Sequence, residues 1–185
     1  MKIETNPFEH IIIDNHADNY EDIIKDILSV LKSGKIKKAH TLFKGNNLRN
    51  LNLPAINKFV DSIDLKEYLT KFTKVRDYEE LHQFSELNIC VGEVSYRIHD
   101  ETPYKIISAV SYFYPKESVG TYLYNKDKTF NKEIDWIPNR TLIFAGDTGT
   151  SWHSYHNKTG DIRVSINHFL INENDIYQKP KHMPA

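Results

Sequence analysis

The first half of the chain carries apolar residues at steps of three and four, which is the period of an amphipathic helix. The clearest case lies in residues 18–31, where the apolar positions are Tyr20, Ile23, Ile24, Ile27, Leu28 and Leu31. This pattern predicts a helix that begins near Asp18 or Asn19, since both residue types favour helix starts. Further helical segments are predicted over residues 54–72, with a break near residues 62–64, and over residues 77–84.

From Leu87 onward the chain changes to short runs of β-branched, aromatic and apolar residues, a pattern typical of strands. Residues 88–97 and residues 105–114 each predict a strand, and Pro103 between them fits a turn. Turn-forming residues cluster at 115–118, 125–128, 137–140, 146–149 and 157–160. Short strands with regular turns predict a sandwich or a barrel.

We therefore expect a single domain over residues 1–185, since the sequence has no internal repeat and no low-complexity linker. Residues 1–86 would form a mainly helical buttress, residues 87–171 the β core, and residues 172–185 a C-terminal tail. A chain of 185 residues is long enough to bury a substantial core.

Charge and cysteine content limit the classes of function. Lys and Arg number 24 against 25 Asp and Glu, which gives a formal charge of −1. The chain as a whole lacks the excess of positive charge that a dedicated nucleic-acid binder carries, so a nucleic-acid partner is not expected. The single cysteine, Cys90, excludes an internal disulfide and reads as a buried structural thiol. The sequence has no apolar run of about 18 residues and no secretion signal, so no membrane association and a cytoplasmic location are expected.

Candidate chemistry centres on His99 and Glu101, which lie two residues apart in a predicted strand. Alternate residues of a strand point to the same face, so these two side chains converge while Asp100 points away. His153 supplies a second imidazole farther along the chain. Two histidines and one carboxylate can hold one face of a metal ion, as in non-heme Fe(II) oxygenases.

Two competing ligands remain open on the sequence alone. Asp100 could replace Glu101, although a regular strand favours Glu101. His156 could replace His153, but the ten-residue spacing from His153 to Arg163 favours His153.

Several ordered landmarks of the second half resemble those of the 2-oxoglutarate/Fe(II)-dependent dioxygenases. They are His99-Asp100-Glu101, Thr102-Pro103-Tyr104-Lys105, Gly120-Thr121-Tyr122-Leu123-Tyr124, Pro138-Asn139-Arg140-Thr141-Leu142-Ile143-Phe144, Trp152-His153 and Arg163-Val164-Ser165. The resemblance spans residues 87–171 and implies a mainly β fold with N-terminal helices around a double-stranded β-helix, that is, a cupin-like jelly-roll. It also implies that Fe(II) is bound by His99, Glu101 and His153. Most members carry aspartate where this chain has Glu101.

The same resemblance implies a site for the cosubstrate 2-oxoglutarate. Arg163 would hold its distal carboxylate, because a guanidinium offers a planar fork for two hydrogen bonds. Ser165, two residues on, would add its hydroxyl. Tyr112 and Tyr122 would line the pocket.

The implied reaction hydroxylates an unactivated C–H bond of a small molecule or a protein side chain, consuming O2 and releasing succinate and CO2. The sequence does not identify the substrate or the oligomeric state. A cupin-like isomerase or a non-enzymatic jelly-roll binding module would share the architecture, and His99-Asp100 also fits a metal-dependent phosphohydrolase of the HD type. Arg163-Val164-Ser165 favours the dioxygenase, since a jelly-roll binding module or an HD phosphohydrolase has no need for it.

Overall fold

The computed structural model describes residues 2–73, 80–157 and 162–172. Its strands, in chain order, are β1 (Ile3–Glu4), β2 (His10–Ile13), β3 (His40–Lys44), β4 (Leu81–Val91), β5 (Val94–His99), β6 (Lys105–Tyr114), β7 (Thr121–Tyr124), β8 (Phe130–Ile134), β9 (Thr141–Ala145), β10 (His153–Asn157) and β11 (Ile162–Asn172). Its helices are α1 (Tyr20–Lys32), α2 (Asn46–Arg49), α3 (Pro54–Ser62) and a 3-10 helix (Leu65–Lys71).

The strands form two antiparallel sheets. The larger sheet has seven strands in the order β1-β2-β9-β6-β11-β4-β3, and the smaller has four in the order β5-β10-β7-β8. Side chains from both sheets meet between them, as in the hydrogen bond of 2.6 Å that joins the hydroxyls of Tyr112 on β6 and Thr121 on β7. The predicted jelly-roll core is confirmed.

The two faces of the larger sheet have different roles. On β11, Val164, Ile166 and Leu170 belong to the main hydrophobic cluster, which also contains the buried residues of α1 and α3. Arg163 and Ser165 alternate with them and therefore point to the opposite face, towards the smaller sheet. Alternation along one strand thus separates the stabilising core from the candidate site.

Two helix predictions are confirmed. The segment predicted over residues 18–31 forms α1, with Asn19 at the N-cap position. The segment predicted over residues 54–72 breaks at Ile63 and Asp64 into α3 and the 3-10 helix. None of the helices in the described part of the chain is long and apolar enough to cross a membrane.

The helix predicted over residues 77–84 is wrong where the structure describes it. Residues 81–84 belong to β4, whose eleven residues all pair with β11, while residues 77–79 lie outside the described residues. The short strands β1, β2 and β3 were also not predicted, although they extend both edges of the larger sheet. Pairing with distant strands outweighs the weak local pattern of such short segments.

The strand predicted over residues 88–97 is in fact two strands. Gly92 has a φ of 79°, a left-handed conformation that favours glycine, and it lies in the turn that ends β4 and begins β5. The two strands belong to different sheets. This crossing carries the chain from the larger sheet to the candidate metal ligands at the end of β5.

Two predictions fall largely outside the described residues. They are the turn predicted at residues 157–160, of which 158–160 are not described, and the tail predicted at residues 172–185, of which 173–185 are not described.

Candidate metal and cosubstrate site

The two candidate histidines face each other across a pair of strands. His99 is the last residue of β5, His153 is the first of β10, and the two are register partners with ring centroids 4.3 Å apart. Each Nδ1 lies 2.8 Å from a backbone carbonyl two residues earlier, of Arg97 and of Ser151 respectively. A neutral ring that donates from Nδ1 keeps its lone pair on Nε2, so both rings can offer Nε2 to a metal ion.

Glu101 lies two residues beyond the end of β5 and is buried, at 5 % exposure. Its Oε1 is 3.9 Å from Nε2 of His153. Two ligands on one face of an ion, each with a bond of about 2.1 Å, lie about 3 Å apart, so these two atoms would move about 1 Å closer on a shared ion. The structure therefore places His153 beside both His99 and Glu101.

The carboxylate of Glu101 is held by two other side chains. Ser108 donates a hydrogen bond of 2.7 Å to Oε1, and Nζ of Lys105 lies 2.8 Å from Oε2. Among residues 2–73, 80–157 and 162–172, no three His, Cys, Asp or Glu side chains stand in complete metal-ligand geometry. A divalent ion would have to compete with the ammonium group of Lys105 for this carboxylate.

The protonation states of the pair suit metal binding. Burial lowers the pKa of His153 to about 4. Burial alone would raise the pKa of Glu101, but His153, Lys105 and the Ser108 hydrogen bond favour the charged form, and the pKa is lowered. A neutral imidazole beside an ionised carboxylate is the combination that coordinates a metal ion.

The two competing ligands are directed elsewhere. Oδ2 of Asp100 accepts a hydrogen bond of 2.6 Å from the backbone N–H of Gly149, so Asp100 holds the loop before β10. His156 contacts the hydroxyl of Ser95 through Nδ1, and its Nε2 lies 3.9 Å from Glu93. The arrangement supports Glu101 and His153 as the ligands.

Arg163 is buried, and no carboxylate among the described residues forms an ion pair with it. It is 2 % exposed, and neither Nε nor Nη2 has a hydrogen-bond partner in the described part of the chain. Its Cζ lies 4.2 Å from the ring centroid of Tyr155, 4.7 Å from that of Trp136 and 5.7 Å from that of Tyr112. Burial lowers the pKa of Arg163. Because an unpaired buried charge is costly, this site fits an anionic ligand that brings its own carboxylate.

Of the other residues predicted to contact the cosubstrate, Ser165 and Tyr112 lie near Arg163. Ser165 is fully buried on the same face as Arg163, and its hydroxyl donates to Oδ1 of Asn167 at 3.4 Å. Tyr112 is also buried beside Arg163, with its hydroxyl bonded to Thr121 and its ring stacked on Trp136.

Tyr122 does not lie beside Arg163, Ser165 and Tyr112. Its neighbours Thr121 and Leu123 are buried between the sheets, and alternation puts Tyr122 on the outer face of the smaller sheet. There its ring contacts the exposed ring of Phe130 at 6.0 Å.

Sequence reasoning missed several residues of the site. Trp136 and Tyr155 enclose Arg163, and Ser108 positions Glu101. Tyr155 carried a usable signal, because it lies two residues after His153 in a strand. Trp136 and Ser108 carried none, since their roles depend on contacts between distant strands.

The comparisons with known proteins bear on the fold. No family model and no curated protein matches the sequence. Solved structures do match. A prolyl hydroxylase from Trichoplax adhaerens, solved with a peptide of the hypoxia inducible factor oxygen degradation domain, is 15 % identical with a TM-score of 0.65, over 90 % of this chain and 84 % of that one.

Two further structures are similar. A protein of the 2OG-Fe(II) oxygenase family from Burkholderia pseudomallei is 12 % identical with a TM-score of 0.62, over 89 % of this chain and 85 % of that one. A viral collagen prolyl hydroxylase from Paramecium Bursaria Chlorella virus-1, solved with 2OG, is 13 % identical with a TM-score of 0.53, over 88 % and 94 %. At such identities the likeness shows that the chain has the fold of these oxygenases.

Proposed function

We propose that this protein is an Fe(II)- and 2-oxoglutarate-dependent dioxygenase that hydroxylates a C–H bond of its substrate. The reaction would consume 2-oxoglutarate and O2, release succinate and CO2, and leave a hydroxyl group on the substrate carbon. The observation that carries the proposal is Arg163, a buried guanidinium without a carboxylate partner in the described residues, on the same side of the sheet as the candidate metal ligands.

The candidate metal and cosubstrate subsites are connected by aromatic rings. Tyr155 packs on Arg163, Tyr96 stacks on Tyr155 at 5.1 Å, and Tyr96 lies 5.8 Å from the ring of His99. An anion held by Arg163 would therefore extend along an aromatic wall towards His99. Such a wall excludes water, which strengthens charge interactions inside the site.

Each residue has a defined part in this scheme. His99, Glu101 and His153 would hold iron, which when bound supplies the activation of O2. Arg163 would orient the cosubstrate through its distal carboxylate. The backbone carbonyls of Arg97 and Ser151 fix both imidazoles in the orientation that presents Nε2.

The nature of the substrate is part of the proposal. The Trichoplax neighbour was solved with a peptide, whereas another structure of this fold, with a TM-score of 0.56, is an alpha ketoglutarate dependent epimerase from nogalamycin biosynthesis. A protein side chain and a small molecule both remain candidate substrates for this chain.

The proposal is tested by succinate formation from 2-oxoglutarate. Purified protein with Fe(II) should form succinate in air, and a candidate substrate should accelerate this. Replacing Fe(II) by Zn(II), or air by nitrogen, should stop the reaction. Absence of Fe(II)-dependent succinate formation with every candidate substrate would contradict the proposed function.

A further inference from the structure

A second buried charge lies on the inner face of the larger sheet. Glu86 on β4 is only 9 % exposed. Its neighbour Leu87 belongs to the core beneath the helices, so Glu86 points to the opposite face. In the register of β4 and β11, Glu86 is the partner of Asn167, and Asn88 is the partner of Ser165. Glu86 is therefore on the face that carries Arg163.

Glu86 has a neutral partner only. Nδ2 of Asn167 donates to its Oε1 at 3.1 Å, and Asn167 in turn accepts from Ser165. Among the residues that the structure describes, no cationic side chain forms an ion pair with Glu86. Lys44, its register partner on β3, is exposed and makes no such contact. Buried carboxylates are rarely left without a cation, because desolvation disfavours the isolated charge.

A series of contacts leads from Asn88, the next inward-facing residue of β4 after Glu86, to the candidate metal ligand His99. Two positions along β4, Oδ1 of Asn88 accepts from Nε2 of His40 at 2.9 Å. The ring of His40 meets that of Tyr96 at 5.3 Å, and Tyr96 is the residue that packs near His99. Glu86 therefore shares the inner face of the larger sheet with Arg163 and is linked through Asn167 to Ser165.

We propose that Glu86 binds a cationic group of the substrate, an ammonium or a guanidinium. Arg163 would bind the anionic cosubstrate and Glu86 the cationic substrate, so that each buried charge receives a partner of opposite sign. Asn167 is a positioning residue, because its amide holds Glu86 and is itself oriented by Ser165. This inference rests on the proposed dioxygenase function and names its substrate class.

The test uses ligand pairs that differ in charge. Arginine is compared with citrulline, and lysine with Nε-acetyl-lysine, each as the free amino acid and within a short peptide. Binding is measured by calorimetry to protein loaded with Mn(II) and 2-oxoglutarate under nitrogen. We expect the charged member of at least one pair to bind about tenfold more tightly or better. Binding of the free amino acid would indicate a small-molecule substrate, and binding of the peptide alone a protein side chain.

Variants assign the preference to Glu86. E86Q removes the charge while keeping the shape of the side chain. Its affinities for the charged and the neutral member of a pair should differ by no more than about twofold. E117Q, at an exposed site, is the matched control and should keep the wild-type preference. If E86Q fails to fold, as judged by thermal melting, Glu86→Met tests the same point. A charge preference that persists in the folded variant would overturn the assignment.

The inference and the proposed function fail in different ways. Binding of 2-oxoglutarate to the Mn(II)-loaded wild type is measured first, without any substrate. No binding at that step contradicts the dioxygenase itself. Binding of 2-oxoglutarate followed by no charge preference in any of the pairs overturns the role of Glu86 alone.

Discussion

His99 and His153 reach the candidate metal position through backbone contacts rather than through side-chain partners. Each Nδ1 is engaged by the carbonyl two residues earlier, which fixes both the ring orientation and the nitrogen that is left to bind. The same local geometry on two different strands produces a pair of matched ligands. Their spacing depends only on the pairing of β5 with β10.

Removing either imidazole should therefore weaken metal binding strongly. We expect H99A and H153A each to weaken Mn(II) binding by about 100-fold or more in an anaerobic titration, because three ligands become two. H82A, at an exposed position on β4, is the control and should bind as the wild type does. Full affinity in H99A or H153A would remove that residue from the site.

Glu101 and Asp100 make different contacts, so their substitutions should have different effects. E101A should abolish Fe(II)-dependent turnover. D100A should have a turnover rate within about threefold of the wild-type rate. It should lose about 1 kcal/mol of stability, the usual contribution of a hydrogen bond such as that from the N–H of Gly149 to Asp100. D100N retains an acceptor and should lose less. Turnover that survives E101A but not D100A would move the ligand to Asp100.

The local part of the site could be predicted from sequence, and the long-range part could not. Ser165 follows from its two-residue step after Arg163 on β11. Glu101 was expected on the same strand as His99, but it lies beyond the end of β5 and is held by Ser108 and Lys105. Tyr122 was predicted to line the pocket but lies on the outer face, because a single residue of register decides the face. Glu86 and Trp136 gave no signal, since their environment is made by strands distant in sequence.

Helices α1 and α3 illustrate stabilisation between elements. The N-cap residue of α3, Leu53, has no side chain that can cap. Instead, Oδ2 of Asp26 on α1 accepts from the backbone N–H groups of Ala55 and Ile56, at 2.8 and 3.0 Å. A carboxylate at this end of a helix also interacts favourably with the helix dipole.

The free energy of unfolding should report this contact. D26A is expected to lose about 1–2 kcal/mol in chemical denaturation, the range found for removing a helix cap. D26N keeps an acceptor and should lose less. D22A removes an exposed carboxylate on the same helix, which forms an ion pair with Lys25, and serves as the control. Equal losses in D26A and D22A would refute the capping role.

Sequence patterns predicted elements best where they were long and local. Helix α1 follows from its periodicity, and β6 from a ten-residue segment rich in apolar and β-favouring residues. Residues 81–84 were assigned to a helix because their local pattern is ambiguous, and only pairing with β11 makes them a strand. The division of residues 88–97 between two sheets likewise depends on tertiary structure.

At the scale of the whole molecule, the core beneath the larger sheet contains an ionisable residue. His168 on β11 is fully buried among the helices, with its ring 5.6 Å from Phe59. Its Nδ1 contacts the hydroxyl of Ser85 at 2.8 Å, and Nε2 has no partner in the described residues. Burial, with a smaller effect of His16, lowers the pKa of His168 to about 3.

This buried histidine makes stability depend on pH. Between pH 6.5 and about 3 the unfolded chain binds a proton that the folded protein does not, so the free energy of unfolding falls as the pH falls. From pH 6.5 to pH 5 the His168 contribution is about 2 kcal/mol, at about 1.4 kcal/mol per unit. H168Q should reduce the loss of stability between pH 6.5 and pH 5 by that amount, whereas H82Q should leave this loss unchanged. An unchanged loss in H168Q would contradict the buried neutral state.

The central claim, that a metal and 2-oxoglutarate share this site, is tested most directly by calorimetric titration of 2-oxoglutarate under nitrogen. The Mn(II)-loaded wild type should bind one equivalent, and metal-free protein should bind far more weakly. R163A should bind 2-oxoglutarate about 100-fold more weakly, a cost of about 3 kcal/mol, with little change in Mn(II) affinity. R163K should recover only part of this, and R49A, a surface control, should match the wild type. No metal-dependent binding, or wild-type affinity in R163A, would contradict the claim.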